Sequence, residues 1–522
     1  MLYDKLQCSV CPFEFLRKAG ELMSAGNVVL VSFYNQKSLG LKYLESALSM
    51  RGYEVTSVFF KKFNSINPKE TTDIELGLLK GLVSELRPIF VGFNVMTSLY
   101  LEAVKAASNK IKSETSIPVV LGGVYPTMFH EECLEYADFV VVGEGEEAAV
   151  ELAEALKEGS SYEKIQNLAY RKDGNVQKNE IRNLLTDIDK YDVSLPALAS
   201  GNKYVIEDDK IVNIDPHASR RTMVYELACS RGCPYACSYC CSINLMRISK
   251  GKGPFVRFRD VDKVIEELQN AKKYMKNLRI IRFWDEIFCG NDAWLDEFTL
   301  RYKKEIGLPF EMWGHPLWAK ERVISKLRQA GLYKIIVGIQ SGSPYIRKEI
   351  FNRNETQDDI INASEVLKGC GVPQVGYDFI LRHIFETEET MLETYELVQK
   401  LAPPFELQLH SLNFIPGTDI TQKAIDMNLA SEEDMQKLMY APMKEQYNKW
   451  WNSEKNDPSI NHIYNLIYLS QFSFYRKKLA KLREPNEANR RAAEKYYARG
   501  LKFAKLRYYY HKGMLVLRGI FS

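Results

Sequence analysis

The sequence predicts an α/β protein with three parts: a Rossmann-like front domain, a partial (β/α)6 barrel and a helical C-terminal region. Short apolar runs alternate with helical patterns in residues 27–157 and again from about residue 221 to 420. Beyond residue 420 the alternation stops, and the segments are helical and rich in Lys, Arg and Tyr. A chain of 522 residues is long enough for two or three domains that each bury a core.

The front domain is predicted from five strand patterns separated by helical ones. The strands are Asn27–Tyr34, Glu54–Phe60, Ile89–Val95, Pro118–Gly123 and Phe139–Glu144. The helical segments include Leu39–Arg51, Tyr100–Lys112 and Glu146–Lys157. This alternation indicates a doubly wound parallel sheet, whose ligands bind beyond the carboxyl ends of the strands.

The next segment, residues 158–220, is polar, contains Asp-Gly and Asn-rich turns, and shows no strong periodicity. It is predicted to be a linker with a few strands. The predicted division of the chain is therefore 1–157 for the front domain, 158–220 for the linker, 221–420 for the barrel and 421–522 for the helical region.

The barrel is predicted from six further strand patterns with helices between them. The strands are Met223–Ala228, Arg279–Trp284, Phe310–Gly314, Lys334–Ile339, Gln374–Leu381 and Glu406–Phe414. The helices are Val261–Tyr274, Ala293–Ile306, Arg322–Ala330, Asp358–Lys368 and Glu388–Leu401. Six such units predict an open parallel barrel with its active site at the carboxyl ends of the strands.

A cysteine-rich run follows the first barrel strand and contains Cys233, Cys237 and Cys240. Three thiolates at this C-x-x-x-C-x-x-C spacing can hold three irons of a cubane 4Fe–4S cluster and leave the fourth iron open. An iron with an open position can bind a substrate or cofactor and pass it an electron. The run therefore predicts a 4Fe–4S site.

Other interpretations of the cysteines remain open. Cys229 and Cys241 lie near enough in the sequence to give a structural zinc site its fourth ligand. A disulfide framework is disfavoured, because the ten cysteines are spread through a long chain with no sign of export. Cys8 and Cys11 form another C-x-x-C pair, for which accessory metal binding stays an alternative.

The bulk composition argues against several classes of protein. The net charge is only +3, which implies no global field for nucleic acid. The sequence lacks the basic and apolar pattern of a signal peptide, and no apolar run reaches membrane-spanning length. Ten cysteines without an export signal predict a reducing, cytoplasmic location.

Residues 230–240 read Ser-Arg-Gly-Cys-Pro-Tyr-Ala-Cys-Ser-Tyr-Cys, and this segment resembles the cluster loop of the radical S-adenosylmethionine (SAM) superfamily. It is most similar to the cobalamin-dependent branch, which carries a cobalamin domain in front of the barrel. The resemblance implies a 4Fe–4S cluster held by the three cysteines, SAM at the open iron, and a SAM contact at Tyr239.

Two glycine motifs in the front domain extend the resemblance. Gly-Gly-Val-Tyr-Pro-Thr (122–127) and Gly-Glu-Gly-Glu (143–146) recur at this separation in the family, although alone they also fit an ordinary Rossmann turn. The cobalamin contacts implied by the resemblance are Asn35, Gln36, Ser38, Leu39, Gly40, Thr97, Ser98, Gly122, Gly123, Tyr125, Pro126, Gly143, Glu144, Gly145 and Glu146.

The loop after the first strand departs from a pattern found in many cobalamin proteins. They have Asp-x-His-x-x-Gly there, and the His ligates cobalt from below. Here Lys37 stands at the His position, and a lysine, cationic near neutral pH, is a poor cobalt ligand. A second match at His217 lies in the predicted linker, and we interpret it as chance. The sequence therefore predicts cobalamin bound base-off, without a histidine ligand.

Further SAM contacts implied by the resemblance lie in the barrel loops. Asp285 and Glu286 end the second strand, where they can bind an ammonium group or form a solvated acidic turn. Gln340 and Ser341 follow the fourth strand, and Gln340 stands where the family usually has Glu. Arg347 is predicted either to pair with the SAM carboxylate or to lie at the surface.

The fifth strand carries another departure, since Arg382 and His383 stand where the family usually has Gly and Pro. They are predicted to change the local cleft, either to fit an acidic group of the substrate or without consequence. Arg490–Tyr510 has basic, aromatic and apolar residues at helical spacing. It is predicted to be a solvated helix that caps the barrel mouth, with a membrane or a lipid-like substrate as the alternative partner.

The resemblance implies an enzyme that cleaves SAM reductively to a 5′-deoxyadenosyl radical. The radical would take hydrogen from an unactivated carbon, and methyl transfer from methylcobalamin would follow. The alternatives are redox or ring-forming chemistry without methylation, loss of cobalamin, or a non-catalytic iron–sulfur redox sensor. The implied partners are a small-molecule or lipid-like substrate and an external electron donor of the flavodoxin or ferredoxin type, with no nucleic acid.

Overall fold

The computed structural model describes residues 25–64, 68–194, 202–217, 222–288, 290–446 and 457–521. Cys8, Cys11 and Cys289 lie outside the described residues. The predicted fold class is confirmed: a front sheet with a parallel centre, antiparallel edges and flanking helices is followed by a six-stranded parallel barrel and a helical region.

The front domain is built on one large sheet. Its strands are β1 Asn27–Phe33, β2 Glu54–Phe60, β3 Val91–Asn94, β4 Val119–Gly122, β5 Phe139–Val141, β6 Leu168–Lys172, β7 Asn175–Lys178, β8 Asn202–Glu207 and β9 Lys210–Asn213. Its helices are α1 Leu39–Ser49, α2 Asp73–Leu86, α3 Leu101–Glu114, α4 Val124–Met128, α5 His130–Cys133 and α6 Glu146–Glu158. The strand order is β7-β6-β5-β4-β3-β1-β2-β8-β9.

The front sheet has its topological switch point at β1. This strand pairs in parallel with β2 on one side and with β3 on the other, so the chain winds in opposite directions from it. The loops after β1 and β3 therefore diverge at the carboxyl edge and leave a crevice there, which is where doubly wound sheets bind ligands.

The prediction of a linker at 158–220 is wrong for its strand-forming parts. The β6–β7 hairpin extends one edge of the front sheet, and the β8–β9 hairpin extends the other. The outermost strands, β7 and β9, are almost entirely exposed. Edge strands of this kind bury few side chains, so they lack the apolar run that identifies a central strand.

The barrel follows in the chain. Its strands are β10 Val224–Leu227, β13 Ile280–Phe283, β14 Phe310–Gly314, β15 Leu332–Gln340, β16 Gln374–Ile380 and β17 Glu406–His410, and a small ribbon pairs β11 Ser230–Arg231 with β12 Arg257–Phe258. Its helices are α7 Ser242–Ile248, α8 Val261–Tyr274, α9 Asp292–Arg301, α10 Glu321–Ala330, α11 Gln357–Gly369 and α12 Glu388–Lys400. The six long strands pair in parallel in chain order, so β10 and β17 are the edges of an open barrel.

C-terminal helices follow the barrel, and the last three of them pack on its wall. The C-terminal helices are α13 Asp419–Asp426, α14 Glu432–Tyr440, α15 Pro458–Leu469, α16 Ser473–Leu479 and α17 Glu487–Phe521. Leu466 and Leu469 of α15 belong to the same buried core as Leu407 of the last barrel strand and Phe405 directly before it. Burial of this apolar surface attaches the helical region to the barrel.

Helix α17 does not cap the barrel mouth along its whole length. Its Tyr497 contacts Tyr464, the ring on which Arg382 packs at the carboxyl end of β16. Its Arg507 pairs with Glu406 at the amino end of β17, at 3.0 Å. The helix therefore runs beside the barrel wall from the carboxyl end of the strands to their amino end.

Candidate functional site

The cysteine loop leaves the barrel at the carboxyl end of β10 and is held at its base by the β11–β12 ribbon. Gly232, directly before Cys233, has φ +88, and a Cβ there would lie 2.3 Å from the carbonyl oxygen of Phe255. Only glycine fits this position, because a side chain would meet both backbone strain and a backbone atom. The motif glycine therefore sets the direction in which the loop enters the site.

The three motif thiols share one half-buried surface. Burial raises the pKa of Cys233 to about 11, and the nearby Cys237 and Cys240 add to that rise. Among the described residues, no three His, Cys, Asp or Glu side chains are placed to hold a single metal ion. Accessible, mutually close thiols on one loop fit a cubane cluster, whose three ligated irons take one thiolate each.

Arg353 is a residue of this site that the sequence reasoning missed. Its guanidinium donates to the hydroxyl of Tyr239 at 3.1 Å and lies 3.8 Å from the sulfur of Cys237. It also donates to the carbonyl of Gly338 at 2.7 Å and to Glu355 at 2.6 Å. Arg353 thus ties the cysteine loop to the end of β15 and places a cation beside the thiols.

The predicted SAM residues after β15 lie in a tightly held turn. Gln340 has φ +69, in the left-handed region that is unusual for a residue other than glycine, at a register shift between β15 and β16. Ser341 is fully buried and accepts a hydrogen bond from the backbone of Ser343. The surface position considered for Arg347 is wrong, because its buried guanidinium donates to the carbonyls of Ser341 and Glu355. Contact of these residues with SAM stays a prediction.

The carboxylate pair after β13 divides into two roles. Asp285 is buried and accepts hydrogen bonds from the backbone of Cys229 at 2.9 Å and from the hydroxyl of Ser230. It therefore holds the strand that leads into the cysteine loop, so the solvated acidic turn is wrong for this residue. Glu286 is exposed, and its charge helps to raise the pKa of Cys233 and opposes the lowering of the pKa of Cys240. Glu286 is the member of the pair that can meet a ligand.

Replacing Asp285 with Asn is expected to flatten the pH dependence of stability. Burial raises the pKa of Asp285 from 3.8 to about 7, so between these values the folded state keeps a proton that the unfolded state has lost. Stability then falls as pH rises through this window, by about 1.4 kcal/mol per pH unit for one proton. Urea unfolding from pH 5 to 8 measures the slope, with Asp358→Asn, an exposed carboxyl, as control. Equal slopes for the wild type and Asp285→Asn would contradict this.

The two basic residues after β16 point to different neighbours: Arg382 faces a C-terminal helix, whereas His383 packs against Phe351 and Phe385 of the barrel loops. The guanidinium of Arg382 lies 3.9 Å from the ring centroid of Tyr464 and donates to Asn461 at 3.3 Å. His383 is buried, and burial lowers its pKa to about 3, which keeps the imidazole neutral. Whether the pair fits an acidic substrate group or has no consequence for the cleft stays a prediction.

Aromatic side chains line the inside of the barrel. Trp284 and Trp313 stack with centroids 4.4 Å apart, and 45% of Trp284 remains exposed. One layer below them, Arg282 joins Glu226 to Glu311 across three strands. This interior gives a substrate an apolar, planar wall over a polar floor.

At the carboxyl edge of the front sheet, hydrogen bonds connect the loops with the predicted cobalamin residues. Ser38 accepts from the amide of Asn94 at 2.9 Å, which joins the loops after β1 and β3. Thr127 accepts from the backbone of Gly143 at 2.9 Å, which joins the two glycine motifs. The switch-point crevice therefore has continuous, hydrogen-bonded walls.

The crevice also fits a polar ligand. The buried hydroxyl of Ser98 has no hydrogen-bond partner among the described residues, and such a group requires one. Gly123 has φ +108, and a Cβ there would lie 2.7 Å from the Asn94 side chain and from the carbonyl of Val95. Beside it, a Cβ at Gly122 would meet nothing closer than 3.9 Å. The loops leave bare backbone and an unsatisfied hydroxyl where the cobalamin contacts are predicted.

The remaining predicted cobalamin residues have the following positions. In the loop after β1, Asn35 accepts a hydrogen bond from the backbone of Lys37, and Gln36 donates one to Glu207. Leu39 and Gly40 are the first residues of α1. After β3, the side chain of Thr97 caps a 3₁₀ turn. Tyr125 and Pro126 are buried, and the hydroxyl of Tyr125 donates to Glu132 at 2.6 Å. Gly145 immediately precedes α6. These side chains shape the crevice, and their contact with cobalamin stays a prediction.

Lys37 and His217 stand at the two places where the sequence partly matches the pattern that carries the cobalt-ligating histidine of other cobalamin proteins. The ammonium of Lys37 pairs with Glu226 of β10 at 3.0 Å, so it is drawn toward the barrel. His217 is buried between α1 and the end of β2, where it lies against Phe59 and Lys42. Lys37 is therefore paired with a carboxylate, and the interpretation of His217 as a chance match stays a prediction.

The two acidic residues of the second glycine motif bind the cysteine loop. Arg231, next to Gly232, pairs with Glu144 at 3.1 Å and with Glu146 at 2.6 Å. Arg257, opposite Arg231 in the ribbon, pairs with Glu144 at 2.8 Å. These partly buried ion pairs fasten the carboxyl edge of the front sheet to the base of the cysteine loop.

Comparison with known proteins assigns both halves of this site. A model of the B12 binding domain matches residues 27–153, and a model of the radical SAM superfamily matches residues 227–398. The first covers both glycine motifs and the switch-point crevice, and the second covers the cysteine loop and most of the barrel. The predicted resemblance is thereby confirmed.

Individual relatives and a solved structure match about two thirds or more of the chain. The chain is 28% identical to an uncharacterized methyltransferase of Pyrococcus horikoshii over 68% of this chain and 74% of that protein. It is 23% identical to the bacteriochlorophyllide d C-12(1)-methyltransferase of Chlorobaculum tepidum over 65% of this chain and 67% of that protein. Its fold matches the radical SAM methyltransferase TsrM of Kitasatospora setae, which was solved with cobalamin and a [4Fe–4S] cluster. The TM-score is 0.59 and the sequence identity is 19%, and the match covers 78% of this chain and 75% of TsrM.

Proposed function

We propose that this chain, a radical SAM protein with a B12-binding domain in front of its barrel, is a cobalamin-dependent methyltransferase that acts on an unactivated carbon of its substrate. The observation that carries the proposal is the pair of salt bridges from Arg231 to Glu144 and Glu146. They connect the loop that would hold the cluster with the loop that would hold cobalamin. The methyltransferase names of two relatives support the same reaction class.

When bound, the cluster would reduce and cleave SAM to methionine and a 5′-deoxyadenosyl radical, and cobalamin would pass a methyl group to the substrate. Cys233, Cys237 and Cys240 would hold the cluster, while Arg353 and Asp285 fix their loop from two sides. Glu286 offers a carboxylate to an ammonium group of SAM. The barrel interior, with Trp284 and Trp313, would receive the substrate and exclude water.

The base-off state of cobalamin is part of this proposal. Lys37 replaces the usual histidine and is paired with Glu226, so the loop after β1 offers cobalt no neutral nitrogen. We further propose an external electron donor of the flavodoxin or ferredoxin type and a cytoplasmic setting, since a cluster with an open iron needs reduction and protection from oxygen. Cobalamin spectra of the loaded protein at neutral pH test the base-off state.

Methyl transfer is expected to leave an isotopic label in the product. The anaerobically loaded enzyme is incubated with trideuteromethyl SAM, a reductant and candidate substrates, and products are analysed by mass spectrometry. We expect 5′-deoxyadenosine together with a product heavier by the transferred methyl group, because the transferred methyl carries the deuterium. The Cys237→Ala variant serves as the control.

The other outcomes separate the alternatives. An unlabelled product formed together with 5′-deoxyadenosine would indicate redox or ring-forming chemistry and would contradict methylation. A cluster that changes its spectrum on oxidation and forms no 5′-deoxyadenosine under any reducing condition would indicate a redox sensor. If cobalamin carries the methyl group, the label should no longer reach the product when cobalamin is left out.

A further inference from the structure

Helix α17 presents an unusually apolar and aromatic surface to solvent. It is 35 residues long, which corresponds to about 52 Å. Leu506, Tyr508, Tyr509 and Tyr510 are each more than half exposed. Consecutive exposed aromatic residues of this kind mark an interaction surface rather than ordinary helix surface.

The opposite face of the same helix is firmly attached to the protein. Ala493 is fully buried in the barrel core, and Gly500 lies against Leu469 and Phe472 so closely that a Cβ would be within 3.2 Å of both. Arg507 pairs with Glu406 at 3.0 Å. The orientation of α17 is therefore set by the body of the protein, and its outer face is held outward.

The charge of the chain is concentrated in this region. Residues 473–522 contain 14 of the 70 Lys and Arg residues but only 3 of the 67 Asp and Glu residues. This segment thus carries +11, whereas the whole chain carries +3. Lys502 and Lys505 are exposed on the same side of α17 as Leu506 and Tyr509, by helical periodicity.

The sequence becomes apolar toward the end of the helix. Residues 514–521 read Met-Leu-Val-Leu-Arg-Gly-Ile-Phe, with a single charged residue. No helix of the described residues is long and apolar enough to cross a membrane. Exposed lysines beside exposed Tyr and Leu side chains are typical of the outer face of a helix that lies in the plane of a membrane interface.

We propose that the outer face of α17 docks the protein onto an anionic membrane surface. The lysines would meet lipid phosphates, the tyrosines would lie at the headgroup level, and Leu506 would enter the acyl boundary. A nucleic acid would not account for the exposed Leu506 side chain. A second copy of this face would bring two strongly positive surfaces together, which like charge opposes.

Vesicle sedimentation with the full-length, cofactor-loaded protein tests this docking. Sucrose-loaded vesicles of phosphatidylcholine alone and of phosphatidylcholine with one-fifth phosphatidylglycerol are the probes. We expect binding to the anionic vesicles to be roughly tenfold stronger, and to weaken with added salt. Lys502→Glu/Lys505→Glu and Leu506→Ser/Tyr509→Ser should each lower binding by roughly tenfold or more.

Matched controls lie on the surface of the barrel. Lys303→Glu/Lys304→Glu makes the same charge change at exposed lysines, and Leu300→Ser removes a leucine that is 71% exposed. Both should bind like the wild type. The proposal is overturned by absence of binding to anionic vesicles, by equal loss in the control variants, by displacement from vesicles on addition of bulk transfer RNA, or by self-association that the α17 variants abolish.

Discussion

Replacing Cys237 with Ala is expected to remove the iron–sulfur cluster and with it all SAM cleavage. The wild-type protein, reconstituted anaerobically, should contain about four irons and four sulfides per chain, and the variant close to none. The loss should be complete because two cysteines cannot replace the third ligand. Arg353, 3.8 Å from the Cys237 sulfur, would also lose the anionic partner that a bound thiolate gives it. Iron and sulfide analysis and chromatography of 5′-deoxyadenosine measure both effects.

Cys241→Ala is the matched control for this experiment. Cys241 neighbours Cys240 closely enough that a hydrogen bond from its thiol lowers the pKa of Cys240. It lies outside the three-cysteine spacing, so its loss should leave iron content and SAM cleavage unchanged. Stoichiometric zinc in the wild type, or equal metal loss in both variants, would instead support a four-ligand structural site. SAM cleavage by Cys237→Ala would overturn the assignment of the loop.

The fold could be predicted from the sequence where strands are buried on both faces. β1, β10 and β14 are short apolar runs within repeating units, and their positions were predicted to within a few residues. The edge hairpins β6–β7 and β8–β9 were predicted only as a few strands in a linker and not as part of the front sheet, because their outer strands bury little and show no apolar run. A strand whose side chains are solvated is identified only by the strand to which it pairs.

The sequence predicted the motifs of the candidate site, but it did not predict which residues contact one another across the site. Cys233 and Gly123 stand in short segments whose spacing carries the chemistry. Arg353 lies 116 residues from Cys237, and the pairing of Arg231 with Glu144 spans 87 residues, so only the packed barrel and sheet bring these groups together. Asp285 was assigned to a ligand, because sequence does not show that a carboxylate is buried against its own backbone.

Replacing Gly123 with Ala is expected to abolish tight cobalamin binding while the cluster is retained. At φ +108 an alanine is strained by roughly 1–3 kcal/mol, and its Cβ would lie 2.7 Å from the carbonyl of Val95 and the amide of Asn94. Asn94 would then have to release Ser38, which separates the loops after β1 and β3. We expect cobalamin affinity to fall by roughly tenfold or more, because this strain and the displaced wall act on the crevice itself. Equilibrium dialysis with hydroxocobalamin measures the loss.

The matched control is Gly159→Ala, which separates backbone strain from the shape of the crevice. Gly159 follows α6 with φ +66, and no heavy atom lies within 4 Å of a Cβ there. Gly159→Ala has the backbone strain of Gly123→Ala but no contact between its Cβ and another atom. This control variant should therefore lower thermal stability slightly and leave the affinity for cobalamin unchanged. Iron content should stay near the wild-type value in both variants, because the cysteine loop belongs to the barrel. A folded Gly123→Ala protein with unchanged affinity would place the cobalamin site elsewhere than the switch point.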